Sequence, residues 1–106
     1  MDCLEQVKQA LLTVSDKVYH YEAMKERGNY IVWAEDGGGA QLNADNSIQQ
    51  QAIQGTIDYF TREEGDSLAD EIQKALKNAK ISFSLNSVQY EDETKYIHYE
   101  WVFEVS

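Results

Sequence analysis

The chain is poor in several residue types, and each shortage excludes a class of protein. Its 106 residues include no proline and one cysteine, Cys3. A single cysteine cannot form an internal disulfide, which is typical of a reducing compartment, and it provides no cysteine cluster for a metal ion. We predict that Cys3 is a free structural thiol. Without proline, the turns must rely on glycine, asparagine and aspartate.

Long apolar runs and basic residues are also scarce. No apolar run approaches the ~20 residues that span a bilayer, and no basic, apolar leader opens the chain, so we expect a soluble cytoplasmic protein with no membrane contact. Nine basic residues stand against 19 acidic ones, giving a net charge of −10. This charge argues against tight nucleic-acid binding, because phosphates are repelled. The acids serve either solubility or a passage through which DNA slides without sticking.

What the chain does contain predicts one globular domain over residues 1–106. Hydrophobic residues make up 42% and aromatic residues 11%, which is typical of a folded protein. A chain of this length can bury a core without disulfide or metal staples. No repeat or linker indicates a second domain.

The region from Ile81 to Val105 organises the predicted fold as a hairpin. Its first half changes phase at Asn86–Ser87, which predicts a β-bulge or bend. The five polar residues Glu91–Lys95 predict the hairpin loop. The second half alternates as a half-buried strand does, with its apolar positions at Ile97, Tyr99, Trp101, Phe103 and Val105.

Two amphipathic helices precede this hairpin. The first is predicted to begin near Asp2 and to end between Ser15 and Tyr21. The second is predicted to be capped by Asp66 or Ser67. The apolar face of the first consists of Leu4, Val7, Leu11, Val14 and Val18, and that of the second consists of Leu68, Ile72, Ala75, Leu76 and Ala79. The predicted outer residues of the second are Asp70, Glu71, Gln73, Lys74 and Lys77.

Between the helices we predict two strands, Tyr30–Glu35 and Gln49–Thr61. In the second, Ile53, Gly55, Ile57 and Tyr59 face one side. The segment Val18–Met24 fits either a helix tail or a short extended piece. The predicted fold is therefore α+β in the order α-β-β-α-β-β, with both helices on one side of a mostly antiparallel sheet of about four strands.

A run of three glycines, residues 37–39, resembles a phosphate-binding loop only superficially. The Gly-Lys-Ser/Thr ending and the following helix are missing. We predict a chain break at Asp36–Gly39 and a flexible hairpin loop from about Asp36 to Ser47. Long loops on small folds often bind partners, so this loop is the best candidate for an assembly contact.

Catalytic constellations are weak throughout the sequence. His20 and His98 are far apart and lack a third metal ligand at a recognisable spacing. The serines at 82, 84 and 87 alternate along a strand instead of occupying a nucleophile elbow. The acidic run at 91–93 lacks the glycine and closing glutamate of a calcium loop. We therefore predict no enzyme activity, no cofactor, and no catalytic, metal-binding or cofactor-binding residue.

In the order and residue pattern of its elements, the chain resembles small phage and prophage proteins of the tail terminator and tail-to-head joining family. These proteins are also called minor capsid or minor tail proteins. The resemblance lies in the amphipathic first helix, the strand Tyr30–Glu35, the strand-and-helix block Gly55–Leu76 and the closing strand Tyr96–Val105. It covers nearly the whole chain but includes no invariant motif. No functional residue is therefore transferred from the family.

The resemblance implies a virion structural protein that assembles in the bacterial cytoplasm. Such proteins form rings, usually hexameric, that end tail-tube assembly and join the tail to the head. The implied partners are other copies of the chain, tail-tube proteins and neck or head-completion proteins, and an acidic lumen would suit passing DNA. The candidate assembly residues are Gly37, Gly38, Gly39, Gln41, Asn43 and Asp45 in the loop, and Tyr90, Glu91, Asp92, Glu93 and Tyr96 at the hairpin tip, where we expect both tyrosines to be exposed.

A second interpretation uses the same charge and small size. A monomeric acidic module could bind a basic protein surface as a nucleic-acid mimic and inhibit it. A pull-down that returned a nuclease or DNA-binding protein would favour this alternative over a ring.

Overall fold

Two helices cover one face of a five-stranded sheet. The computed structural model describes residues 2–23, 28–38 and 52–106. The strand order is β1-β2-β3-β5-β4, and all neighbours are antiparallel except β1 and β2, which are parallel. Along the chain the elements are α1 (Asp2–Leu12), β1 (Val18–His20), β2 (Tyr30–Gly38), β3 (Ile53–Thr61), α2 (Leu68–Asn78), β4 (Ser82–Glu91) and β5 (Tyr96–Val105).

The α+β prediction is confirmed, with one strand more than expected. The segment Val18–Met24 begins as a strand, because Val18–His20 pairs with Ile31–Trp33 at the edge of the sheet. The predicted hairpin loop and the phase change are both confirmed. The β4–β5 register shifts between Leu85 and Ser87, where Asn86 is the additional residue.

The end of α1 differs from the prediction. We expected the helix to continue at least to Ser15, but it ends at Leu12. Thr13 donates its Oγ1–H to the carbonyl of Ala10 at 2.6 Å, and tight turns close over the same residues. β-branched residues at 13 and 14 also disfavour helix. Val14 and Val18 still pack against the core, although neither belongs to the helix.

Strand β2 extends beyond its predicted end. A chain break was predicted at Asp36–Gly39, but Gly37 and Gly38 still pair with Gln54 and Ile53. The β2–β3 ladder accommodates Asp36 as an additional residue, through a register shift between Glu35 and Gly37. The strand continues through these residues because glycine weakens a strand but does not prevent its backbone from pairing. The rest of the predicted loop lies outside the described residues.

The core lies between the helices and the covered face of the sheet. Because strand residues alternate between faces, the core residues of each of β2, β3 and β5, such as Ile31, Ile57 and Trp101, come from alternate positions. Gln73 of α2, which we predicted to remain outside, is half-buried and accepts a hydrogen bond from Nε1 of Trp101 at 2.9 Å. The largest fully buried side chains are Val7, Leu11, Ile31, Ile57, Tyr59, Thr61, Ile72, Leu76, Trp101 and Phe103.

Asp66 joins the end of β3 to the start of α2. Its Oδ2 accepts hydrogen bonds from Tyr59 Oη at 2.6 Å and from Thr61 Oγ1 at 2.7 Å. Its Oδ1 accepts the backbone N–H of Leu68 at 2.9 Å, which satisfies a free donor at the helix start. Ser67 is the N-cap residue by position but makes no side-chain cap bond, so Asp66 does the capping.

Candidate functional site

The hairpin tip between β4 and β5 is a structured acidic projection. The carbonyl of Glu91 accepts the N–H of Lys95 at 2.8 Å, and its Oε1 accepts the hydroxyl of Thr94 at 3.0 Å. Lys95 has a φ of 67°, the left-handed conformation that lets the chain reverse here. Asp92 and Glu93 are exposed. The tip therefore presents two carboxylates on a defined backbone.

An aromatic cluster lies on the open face of the sheet, opposite the helices. It consists of Tyr30, Phe60, Tyr96 and His98. The ring of Phe60 stacks on Tyr30 at 4.7 Å and on His98 at 4.3 Å between centroids. Tyr96 meets Tyr30 and Phe60 edge-on at 5.7 and 5.9 Å. We call these four residues the open-face aromatic cluster.

Tyr96 corrects one prediction. We expected an exposed aromatic residue, but 5% of it is exposed. The guanidinium of Arg62 lies 4.0 Å from the ring centroid, and Tyr96 Oη donates to the carbonyl of Gly28 at 2.9 Å. Because both its ring and its hydroxyl are engaged, Tyr96 stabilises the base of the tip and its side chain is covered.

His98 links the aromatic cluster to the acids of the open face. Its Nε2 lies 2.7 Å from Oδ1 of Asp58 and its Nδ1 lies 3.5 Å from Oε2 of Glu91. The hydrogen bond to Asp58 raises the pKa of His98 above its ordinary value, burial opposes this, and the charges of Asp58, Glu91 and Glu100 add to the increase. The imidazolium is thereby stabilised among three carboxylates.

The acids of the open face are otherwise poorly compensated. Asp58 of β3 lies directly opposite Glu100 of β5 in the ladder. Like charges at directly opposed positions destabilise a sheet. Glu104 extends the same row and is exposed. The open face thus carries a negative strip next to the aromatic cluster.

The β4 edge of the sheet exposes three apolar side chains and carries no charge before Glu91. Leu85, Val88 and Tyr90 are exposed to 48%, 50% and 59% respectively. Residues 81–90 contain no charged side chain, in a chain where 26% of residues are charged. Edge strands are ordinarily protected by charges, prolines or short length. Strand β4 has ten residues, and its protection consists of the bulge and the terminal acid Glu91.

The β1 edge is short and ends in an unusual conformation. His20 stacks between Tyr21 at 4.1 Å and Trp33 at 4.0 Å, and its Nε2 lies 2.7 Å from Oε1 of Glu35. Tyr21 has a φ of 76°, and its hydroxyl donates to Oε2 of Glu35 at 2.6 Å. That hydrogen bond is the main reason why the pKa of Glu35 is lowered. The strained tyrosine terminates the strand.

The predicted assembly residues separate into two groups. Tyr90, Glu91, Asp92, Glu93 and Tyr96 come together at the hairpin tip. Gly37 and Gly38 lie at the other end of the sheet, since Gly38 pairs with Ile53 and Ile53 pairs with Val105. The length of β3, eight residue steps or about 27 Å, separates these ends. The remaining predicted residues, Gly39, Gln41, Asn43 and Asp45, lie outside the described residues.

Sequence reasoning missed three features of these surfaces. The open-face aromatic cluster could have been found from Tyr30, Phe60 and His98, which all fall on the polar side of their strands. The His20–Glu35 contact required the unpredicted strand β1. The uncharged run at 81–90 was visible but became informative only when β4 proved to be an edge strand.

In the described residues, neither a cluster of metal ligands nor a membrane-spanning helix is found. Within ranges 2–23, 28–38 and 52–106, no group of three or more histidine, cysteine or acidic side chains is arranged to hold a metal ion. No helix in this part of the chain is long and apolar enough to cross a membrane.

Comparison with solved structures shows a likeness over nearly the whole chain. A chain from the virion of a native gene transfer agent particle superimposes with a TM-score of 0.59 and 15% sequence identity. The match covers 98% of this chain and 90% of that chain. The two chains therefore share their fold over nearly their whole length. No protein-family model and no curated protein sequence matches the chain.

Proposed function

We propose that the protein is a structural component of a phage-like virion, and that it forms a ring that ends tail-tube assembly and joins the tail to the head. The fold shared with a gene transfer agent virion chain over 98% of the sequence carries this proposal. The resemblance in element order supports the tail terminator or neck position. On this proposal the protein is not an enzyme, and its partners are other virion proteins.

The two faces of the sheet suit this role differently. The helices close one face, while the other carries the negative strip of Asp58, Glu100 and Glu104. If the open face lines the ring, these carboxylates repel the DNA backbone and allow it to pass. The acidic hairpin tip lies at one end of the sheet, where it can contact the next ring along the tail.

The first test is the mass of the purified protein by light scattering behind a sizing column. Concentration and salt are varied, and the run is repeated with the tail-tube protein of the same particle. We expect a closed oligomer of about six copies, alone or on the tube protein. A monomer that ignores the tube protein and instead binds a nuclease or a DNA-binding protein would overturn the proposal in favour of an acidic inhibitor.

The contribution of the hairpin tip can be measured separately. Asp92→Lys/Glu93→Lys reverses both exposed carboxylates, and we expect it to reduce binding to the neighbouring tail or head protein while the ring itself persists. The control Glu5→Lys/Glu71→Lys makes the same change in net charge at exposed positions on the two helices. Equal binding by the two variants would show that the tip makes no contact and that charge acts only over long range.

A further inference from the structure

The two edges of the sheet differ in a way that suggests how copies associate. Strand β4 is a ten-residue edge that carries a bulge and one terminal acid, Glu91, and leaves Leu85, Val88 and Tyr90 exposed. Strand β1, at the other edge, has β2 as its one strand neighbour in the described part of the sheet. A row of unpaired N–H and C=O groups on an exposed strand is a template for another chain.

We propose that β4 of one copy pairs with β1 of the next copy, so that the sheets continue from subunit to subunit around a ring. This inference rests on the proposed function, since it specifies the contact that builds the ring. The occupant of the β4 edge is thus a second copy of this chain. Because two different edges meet, the contact is heterologous and can close by rotation.

Strand direction makes the contact possible. Rotation about a ring axis keeps each strand's direction relative to that axis. Strand β5 is antiparallel to β3 and therefore runs parallel to β2 and β1, whereas β4 runs the opposite way. β4 therefore meets the β1 of a neighbour as an antiparallel pair. Antiparallel pairs are slightly more stable per residue than parallel ones.

The faces also match along this contact. Val18 and His20 of β1 pair with Ile31 and Trp33, which belong to the covered face. On β4, Val88 and Tyr90 share the face of their ladder partners Tyr99 and Ile97. A register that places His20 opposite Val88, and Val18 opposite Tyr90, therefore keeps these four side chains together on one face.

Charge favours this pairing over other contacts between copies. The net charge of −10 makes most pairs of surfaces repel. The run 81–90 is uncharged and avoids that cost. In the proposed orientation the acidic tip at 91–93 follows the end of β4 and comes next to Lys17, which directly precedes β1 of the neighbour. Since Lys17 adjoins Asp16, this end of the contact gains little from charge, and the uncharged run 81–90 is what favours the pairing.

Disulfide cross-linking tests the register. In a Cys3→Ser background, His20→Cys/Val88→Cys places two exposed residues at directly opposed positions, within the about 7 Å between Cα atoms that a disulfide permits. We expect mild oxidation to give a ladder of linked subunits up to the closed ring on a non-reducing gel. The control His20→Cys/Ser84→Cys moves the second cysteine about 13 Å along β4 and should remain unlinked.

The single variants and one charge substitution separate the outcomes. Dimers from Val88→Cys alone would show two-fold pairing of β4 with β4 and overturn the proposal. Val88→Lys should abolish the closed oligomer in light scattering, whereas Leu12→Lys, an exposed apolar residue on α1, should preserve it.

A ring that survives Val88→Lys and shows no cross-link would overturn the edge-to-edge contact but leave the proposed function intact. A monomer under all conditions, on its own and with the tube protein, would overturn both.

Discussion

The two faces of the sheet differ in composition and in burial. The covered face buries apolar residues such as Ile57 and Trp101 almost completely, and its few polar groups find partners in Asp66 and Gln73. The open face carries buried and half-buried aromatic rings and a directly opposed pair of acids, Asp58 and Glu100. The covered face has the composition that folding requires, whereas the open face retains features that folding alone would not favour.

The difference between the two faces indicates which one carries functional residues. A like-charge pair in a ladder reduces stability, and His98 compensates for it only in part because it forms its close contact with Asp58. Features that cost stability persist when something other than folding requires them. We therefore expect substitutions on the covered face to act mainly on unfolding, and those on the open face to act mainly on assembly or DNA passage.

The largest expected loss on the covered face comes from Asp66→Ala. It removes the acceptor of Tyr59 and Thr61, whose residues are fully buried, and of the helix-start N–H of Leu68. Buried donors left without partners cost about 1–3 kcal/mol each, so we expect a loss of about 2–4 kcal/mol in the free energy of unfolding, measured in urea. Glu64→Ala, in the same connection but exposed, should change it by less than about 0.5 kcal/mol.

The pH dependence of the same site sharpens this prediction. Burial acts to raise the pKa of Asp66, but the hydrogen bonds from Tyr59, the Leu68 amide and Thr61 outweigh it and lower the pKa overall. A folded-state pKa below the unfolded value of 3.8 gives stability that is present above that pH and lost as pH falls through the folded value. Asp66→Ala should remove this acid-side slope. An unchanged slope would contradict the assignment.

Gly55→Ala is expected to have the next largest effect. A Cβ at this position would collide with the carbonyl oxygen of Ala34 and would approach Cζ of Phe103 to 2.7 Å. Since the first obstacle is backbone of the neighbouring strand, relaxation is difficult, and we expect a loss of about 1–3 kcal/mol. Gly28→Ala is the matched control, because its Cβ would meet only Lys17 Nζ at 3.6 Å. Equal losses in both variants would show that glycine flexibility, not close packing, sets the cost.

Much of this covered face could be predicted from the sequence, because periodicity reports directly on burial. The alternation through Ile57 and Trp101 and the apolar stripe of α2 both correspond to the core. Helix length was harder to predict, since Val14 and Val18 keep helical spacing while contacting the core from a turn and from a strand. Periodicity identifies which residues are buried more reliably than it identifies the backbone that buries them.

The candidate surfaces were less predictable, because they depend on which strands become neighbours. Nothing in the local sequence indicates that β5 is inserted between β3 and β4, and this order makes β4 an edge. The same order brings His98 next to Asp58, 40 positions earlier in the chain. Tyr96 was predicted to be exposed because it adjoins a polar loop, but Arg62 and Gly28 cover it from other parts of the chain.

The smallest predicted effect lies on the open face and tests whether His98 compensates for its acids. Because its folded pKa is raised above 6.5, its contribution to stability is fully present below that pH and is lost as pH rises through the folded value. The side chain is 23% exposed, so we expect less than about 1 kcal/mol. The unfolding free energies of the wild type and of His98→Gln are measured from about pH 5 to 9, a range that covers the titration of a histidine. The difference between them should decrease as the pH rises. Asp58→Asn removes the main cause of the shift and should reduce that slope as well. If the unfolding free energies of both variants depend on pH as that of the wild type does, His98 does not compensate the opposed acids. The open face then reduces stability more than its contacts indicate.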